Sequence, residues 1–231
     1  MKNKIKIIAF DADDTLWLNE VYYRKTEHDF ADLLKEYGER DFVIEELFKT
    51  EMQNLKLYGY GAKGFMLSML ETAIRVSAGK VSSEIQRGIL ELGKSLLLSP
   101  LVLLPQVMEV LTKLKTQYKL ILATKGDLLD QERKLENSKL NEFFHHVEIM
   151  SDKKEDNYQK LLNHLDIKAD ELLMIGNSLK SDIIPPLNLG CFAAHIPHET
   201  TWQHEKVGDD KISNDRFYNL KHLKDILQEL I

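Results

Sequence analysis

The rhythm of hydrophobic and polar positions changes twice along the chain. Residues 4–10 (KIKIIAF) form a short, β-branched, apolar run without clean polar alternation, the pattern of a parallel strand covered on both faces. The run stops at the acidic cluster Asp11-Ala12-Asp13-Asp14-Thr15. From about residue 19 to residue 98 strand signals vanish. Apolar residues recur three and four apart, which predicts helices over 20–37, 42–58, 65–77 and 83–98. Gly38, the Gly59/Gly61/Gly64 group and Gly79 punctuate them. Beyond Pro100 and Pro105 the two rhythms alternate. Helices are expected over 107–115, 128–138, 156–165 and 181–189, with strands over 119–124, 144–150, 171–175 and 191–196. Residues 198–214 read as a long polar loop, and a helix over 220–230 closes the chain. There is no internal repeat.

Strand–helix alternation predicts an α/β fold, a doubly wound, mainly parallel Rossmann-like sheet with right-handed crossovers. Residues 1–18 and 99–231 would form it, and 19–98 would be an inserted four-helix domain. Ligands in such folds sit beyond the carboxyl ends of the strands. Asp11 and Asp13 follow the first strand, Thr124 ends the second, Ser151-Asp152-Lys153 follow the third and Gly176-Asn177 follow the fourth. All four clusters therefore fall on one sheet edge. Asp182 adds a third acid just after the fourth strand. Carboxylates gathered this way repel one another unless a cation intervenes, and an all-oxygen set selects a hard divalent ion, most simply Mg2+.

These residues carry a resemblance. FDADDTLW at 10–17 resembles the first motif of the haloacid dehalogenase superfamily, an aspartate-nucleophile family dominated by phosphatases. Thr124 in LILATKGD matches the second motif, Lys153 in MSDKKEDNY the third, and Gly176-Asn177-Ser178 with Asp182 in MIGNSLKSD the fourth. The helical insertion matches the family's cap between the first and second motifs. The resemblance implies that Asp11 attacks a phosphomonoester to give an aspartyl-phosphate, while Asp13 exchanges protons with the leaving group and the hydrolytic water. It further implies that Thr124 and Lys153 hold the phosphoryl oxygens. The implied Mg2+ ligands are Asp11, the Asp13 backbone carbonyl, and Asn177 or Asp182. Asn177 departs from the pattern, because the family carries an Asp there. The substrate would be a small phosphorylated metabolite, with specificity set within residues 19–98 of a cap that opens and closes. Rival readings are a phosphomutase, a dehalogenase (against which Asp13 counts), or a binding protein on an attenuated enzyme scaffold.

Composition narrows the partners. The 231 residues include 31 Lys+Arg against 37 Asp+Glu, a formal charge of −6, which disfavours nucleic acid or an anionic membrane. The single cysteine, Cys191, excludes an internal disulfide and multi-cysteine metal sites. No apolar run has the length of a signal-peptide core or a membrane span, so the expectation is a cytoplasmic monomer or homodimer. The spacing of His195, His198 and His204 does not suit zinc. Met66, Met69, Tyr22 and Tyr23 read as packing. Lys63 could meet an anionic substrate, and Glu205 belongs to a packed loop beside the site.

Overall fold

The structure is a computed structural model and describes residues 4–205 and 212–231. Of the long polar loop, residues 206–211 lie outside the described residues. Six strands make one sheet: β1 (Ile7–Phe10), β2 (Lys119–Lys125), β3 (His146–Met150), β4 (Leu172–Gly176), β5 (Phe192–His195) and β6 (Phe217–Asn219). Their order is β3-β2-β1-β4-β5-β6, and every pairing is parallel.

The missing polar alternation has a direct cause. Ile8 and Phe10 face a cluster with Val107, Leu111 and Leu114 of α5 (Val107–Leu114) and Ile226 and Leu230 of α9 (Ile226–Leu230). Ile7 and Ala9 face the opposite cluster, with Tyr158, Leu161 and Leu162 of α7 (Glu155–Leu165). Both sheet faces are covered, so every residue of β1 is buried.

The carboxyl-terminal third corrects two expectations. Within 220–230 the helix is confined to a single 3-10 turn, Leu223–Asp225, and the five residues of α9. The Asp225 carboxylate accepts the His222 N–H, which starts the helical turn at Leu223, while Phe217–Asn219 pairs with β5 as an edge strand. A three-residue edge strand is too short to show a period. Residues 181–189 are not one helix either. A wider π-helical turn over Leu179–Ile183 precedes α8 (Ile184–Asn188), whose first turn holds Pro185 and Pro186. Pro185 has no N–H to give the Ser181 carbonyl, and the buried Tyr158 hydroxyl donates to it at 2.9 Å.

The chain divides into two compact units. One comprises the described residues of Met1–Glu20, Leu101–Lys125 and Gln131–Ile231; the other comprises Val21–Pro100 with Gly126–Asp130. The second unit contains α1 (Glu20–Leu33) from Val21 onward, α2 (Arg40–Tyr58), α3 (Ala62–Val76) and α4 (Ser83–Leu97). The first of these helices stops at Leu33, short of Tyr37. Phe30, Leu34, Val43, Leu47, Phe65, Met69 and Ile89 form its core, and Tyr22, Tyr23 and Met66 pack against it. Between α2 and α3 the Thr72 hydroxyl donates to that of Thr50 at 2.9 Å, and Asn54 donates to the Ser68 hydroxyl at 3.2 Å. Gly61 has φ +107°, and a Cβ there would stand 3.0 Å from the Asp127 amide nitrogen. Lys63 pairs with Asp127 at 3.0 Å. Among the described residues no helix is long and apolar enough to cross a membrane.

Two positions on α5 separate core from surface. Leu111 is wholly buried, and Met108 is 47% exposed. Leu111→Ala is expected to cost about 2–5 kcal/mol and Met108→Ala less than about 0.5 kcal/mol. Denaturant unfolding of both variants measures the contrast.

Candidate active site

At the end of β1 the chain makes a tight turn. The Asp11 N–H donates to the Ile175 carbonyl, and the Ala12 carbonyl collects the N–H groups of Thr15, Leu16 and Trp17. Asp14 takes a left-handed conformation, φ +59°. Its carboxylate accepts the N–H groups of Asn19 and Glu20, both at 2.9 Å, which fastens the start of α1. This turn projects Asp11 and Asp13 differently, so two acids two residues apart acquire separate surroundings.

Asp11 is buried, and the Lys153 ammonium contacts its Oδ1 at 2.6 Å. The same ammonium contacts Asp182 Oδ1 at 2.7 Å, and Lys153 is itself buried from solvent. The other Asp182 oxygen accepts the Ser178 N–H at 3.0 Å. A Cβ at Gly176 would collide with the Asp182 carboxylate, so a glycine must end β4. Lys153 reaches this place from the loop after β3, and Lys154 turns outward to pair with Asp152. Burial would favour loss of the Lys153 proton, but Asp11 and Asp182 outweigh it and hold its pKa above the usual lysine value. For Asp11, burial and the neighbouring Asp182 prevail over Lys153 and push its pKa up to about 7. One ammonium does not fully compensate the two carboxylates.

The second Asp11 oxygen accepts the Thr15 hydroxyl at 2.9 Å, and that hydroxyl also lies 3.2 Å from Asn177 Oδ1. A hydroxyl has one proton, so it cannot donate fully to two acceptors. The Asn177 backbone carbonyl accepts from His195 at 3.0 Å, which anchors the turn after β4. Two hard oxygens short of a donor, one of them on a carboxylate with a raised pKa, are a donor set suited to a small divalent cation. The site residues thus fit Mg2+, with Asp11 and Asn177 offering oxygens. Both Asp182 oxygens are already engaged by Lys153 and Ser178.

Asp13 sits in a cradle of three donors. Trp17 Nε1 is 2.7 Å away, Gln131 Nε2 2.9 Å and Lys134 Nζ 3.0 Å. Thr124 is two positions beyond Leu122, which pairs in register with Phe10, so it stands alongside the Asp11 turn. Its buried hydroxyl has no hydrogen-bond partner among the described residues. An orphan buried hydroxyl at the end of a strand invites a ligand oxygen.

Sequence reasoning missed a second ion pair, whose carboxylate is buried. Lys125 donates to Ser181 Oγ at 2.8 Å and pairs with Glu205, whose carboxylate also accepts the hydroxyls of Ser178 and Ser181. Burial would raise the Glu205 pKa, yet Lys125 and the two serines bring it down to about 2. Glu205 therefore ties the end of β2 to the turn after β4. No local pattern announces a pairing across 80 positions. His195, His198 and His204 are not brought together as ligands: His198 bonds the Thr200 carbonyl, and His204 packs at a tilt against Trp202 and contacts Lys180. Cys191 is buried, and burial pushes its thiol up to about 12, the state of an inert packing residue.

Known proteins share this arrangement of elements. The family model of haloacid dehalogenase-like hydrolases matches residues 5–190. The chain is 24% identical over 199 residues to human (Homo sapiens) N-acylneuraminate-9-phosphatase, covering 81% of this chain and 80% of the relative. It is 25% identical to glyceraldehyde 3-phosphate phosphatase of Methanopyrus kandleri over 98% of both chains. A haloacid dehalogenase-like hydrolase from Xanthomonas campestris superposes with a TM-score of 0.84 at 35% identity, covering 94% of this chain and 87% of that one. With the family model spanning the first four strands and the helical insertion, the chain belongs to the haloacid dehalogenase-like hydrolases.

Proposed function

We propose that the protein is a Mg2+-dependent phosphatase that hydrolyses a small phosphorylated metabolite through an aspartyl-phosphate on Asp11. The observation that carries this reading is the Asp11 carboxylate, buried at a strand end and clamped between the Lys153 ammonium and the Thr15 hydroxyl. Both curated relatives described above bear phosphatase names, for an N-acylneuraminate 9-phosphate-type and a triose phosphate-type activity, which supports the substrate class.

Asp11 is oriented by its two donors and has no freedom to turn away, so it meets phosphorus at a defined angle. Lys153 has three N–H donors, of which Asp11 and Asp182 occupy two; the third suits a phosphoryl oxygen. The orphan Thr124 hydroxyl holds another. Attack by an Asp11 oxygen forms the new O–P bond as the bond to the leaving oxygen breaks, and that oxygen takes a proton from Asp13. Asp13 then removes a proton from the water that attacks the acyl-phosphate, returning Asp11 to its carboxylate. To do so it exchanges part of its cradle for the reacting oxygen, and Gln131 and Lys134 act as positioning residues. Bound Mg2+ would offset the charge between Asp11 and the phosphoryl group. Asp11, Asn177 and the Asp13 backbone carbonyl are the residues that would hold it, with Asp182 acting on Lys153.

Three outcomes follow. Asp11→Asn should lower Mg2+-dependent turnover of an aryl phosphate by at least about a thousandfold; wild-type-like turnover in that variant would reject the nucleophile. Asn177→Asp restores a carboxylate, so Mg2+ titration should show tighter binding than the natural chain, and equal or weaker binding would reject Asn177 as a ligand. The third concerns pH. Asp11 has a folded pKa of about 7 against an ordinary value of 3.8, so its protonated form stabilises the metal-free fold at low pH. That contribution is lost as pH rises through about 7. The cation needs the ionised carboxylate, and thus the rise in Tm produced by Mg2+ should be larger at pH 8 than at pH 6. Thermal scans at both pH values check this.

A further inference from the structure

A second group of metal-ligating side chains lies at the other end of the sheet. His146, Glu148 and His164 each offer a ligand atom, and these atoms all lie within 4.8 Å of one another. His146 and Glu148 are two apart on β3, so they share the sheet face of Met150, which packs in the cluster formed with Tyr158, Leu161 and Leu162 of α7. His164 is three residues past Leu161, in the last turn of α7. The His146 Nε2–H contacts the Glu148 carboxylate at 2.9 Å, and the two imidazole rings stand 4.9 Å apart. His146 and Glu148 are half-buried and His164 is exposed, so the group is preformed on two sides and open on the third.

We infer that His146, Glu148 and His164 form a binding site for a borderline divalent transition metal, with Zn2+ the best match. Two imidazoles and one carboxylate make the three-ligand set that Zn2+ accepts tetrahedrally with water as the fourth ligand. Mg2+ does not compete well for it, because it prefers an octahedral set of oxygens. The ligand atoms lie within 4.8 Å of one another, and His164, exposed on the last turn of α7, is the side chain with room to adjust toward an ion. β3 runs from His146 toward the loop that carries Lys153, and α7 returns to His164. The metal therefore closes the open end of a β–loop–α unit whose far end holds Lys153. It acts as a staple remote from Asp11, and the inference stands whether or not the proposed phosphatase reading holds.

The test uses the full chain, stripped of metal and then held in excess Mg2+. Calorimetric titration with Zn2+ should show one tight site per chain and a higher Tm on loading. His164→Ala, at an exposed position that leaves the core untouched, should weaken Zn2+ binding by at least about tenfold. Glu148→Ala should do the same. Co2+ in place of Zn2+ should give the intense visible absorption of a four-coordinate site, lost in His164→Ala. Absence of a Zn2+ site in the wild type, or Zn2+ binding unaltered in both His164→Ala and Glu148→Ala, would overturn the inference.

Discussion

The buried ammonium of Lys153 is the contact on which the sheet edge depends. Two carboxylates, Asp11 and Asp182, arrive from different strands and share one cation that has almost no access to water. Removing the ammonium would leave both acids desolvated and unpaired, and the loss of one partner from such a buried set typically costs about 3–5 kcal/mol. The requirement reaches backward into the sequence. Gly176 has to lack a side chain so that Asp182 can approach, and the Ser181 carbonyl has to find Tyr158 because Pro185 cannot serve it. One ammonium therefore serves two acids at once, and the position of each depends on it.

Topology does the rest. With every strand parallel and β1 central between β2 and β4, the carboxyl ends of the inner strands converge, and residues spread from Asp11 to Asp182 become neighbours. Turn geometry then distinguishes the two acids of the first motif. Asp11 is drawn inward to Lys153 and Thr15, and Asp13 outward to Trp17, Gln131 and Lys134. Holding one carboxylate between an ammonium and a hydroxyl, and the other among three donors, are different physical requirements. Two residues of spacing at a strand end are enough to satisfy both.

Much of this was legible in the sequence, for a definite reason. An apolar run buried on both faces ends abruptly at polar residues, so β1, β2 and β4 marked their own termini, the polar Ser151-Asp152 marked that of β3, and the parallel rule placed those termini together. The helical unit was legible from its spacing, as was the packing role of Met69. What escaped notice had no period to announce it. β6 is three residues on an edge, the π-helical turn before α8 precedes a pair of prolines, and Thr15 is a single hydroxyl that joins Asp11 to the distant Asn177. The loop holding Glu205 read as packed beside the site, but its pairing with Lys125 stayed hidden because a buried carboxylate and a solvated one are written with the same letter.

The Lys125–Glu205 pair bears on the order in which this fold completes itself. Lys125 ends a central strand that can dock early, yet its charge finds its carboxylate only in a segment beyond β5. Until that segment arrives, burying Lys125 is unfavourable and the strand end stays hydrated. The same carboxylate draws in Ser178 and Ser181, so the turn after β4 also waits for it. The sheet edge is thus completed electrostatically by a segment from the carboxyl-terminal part of the chain, which neutralises Lys125 and holds the turn after β4.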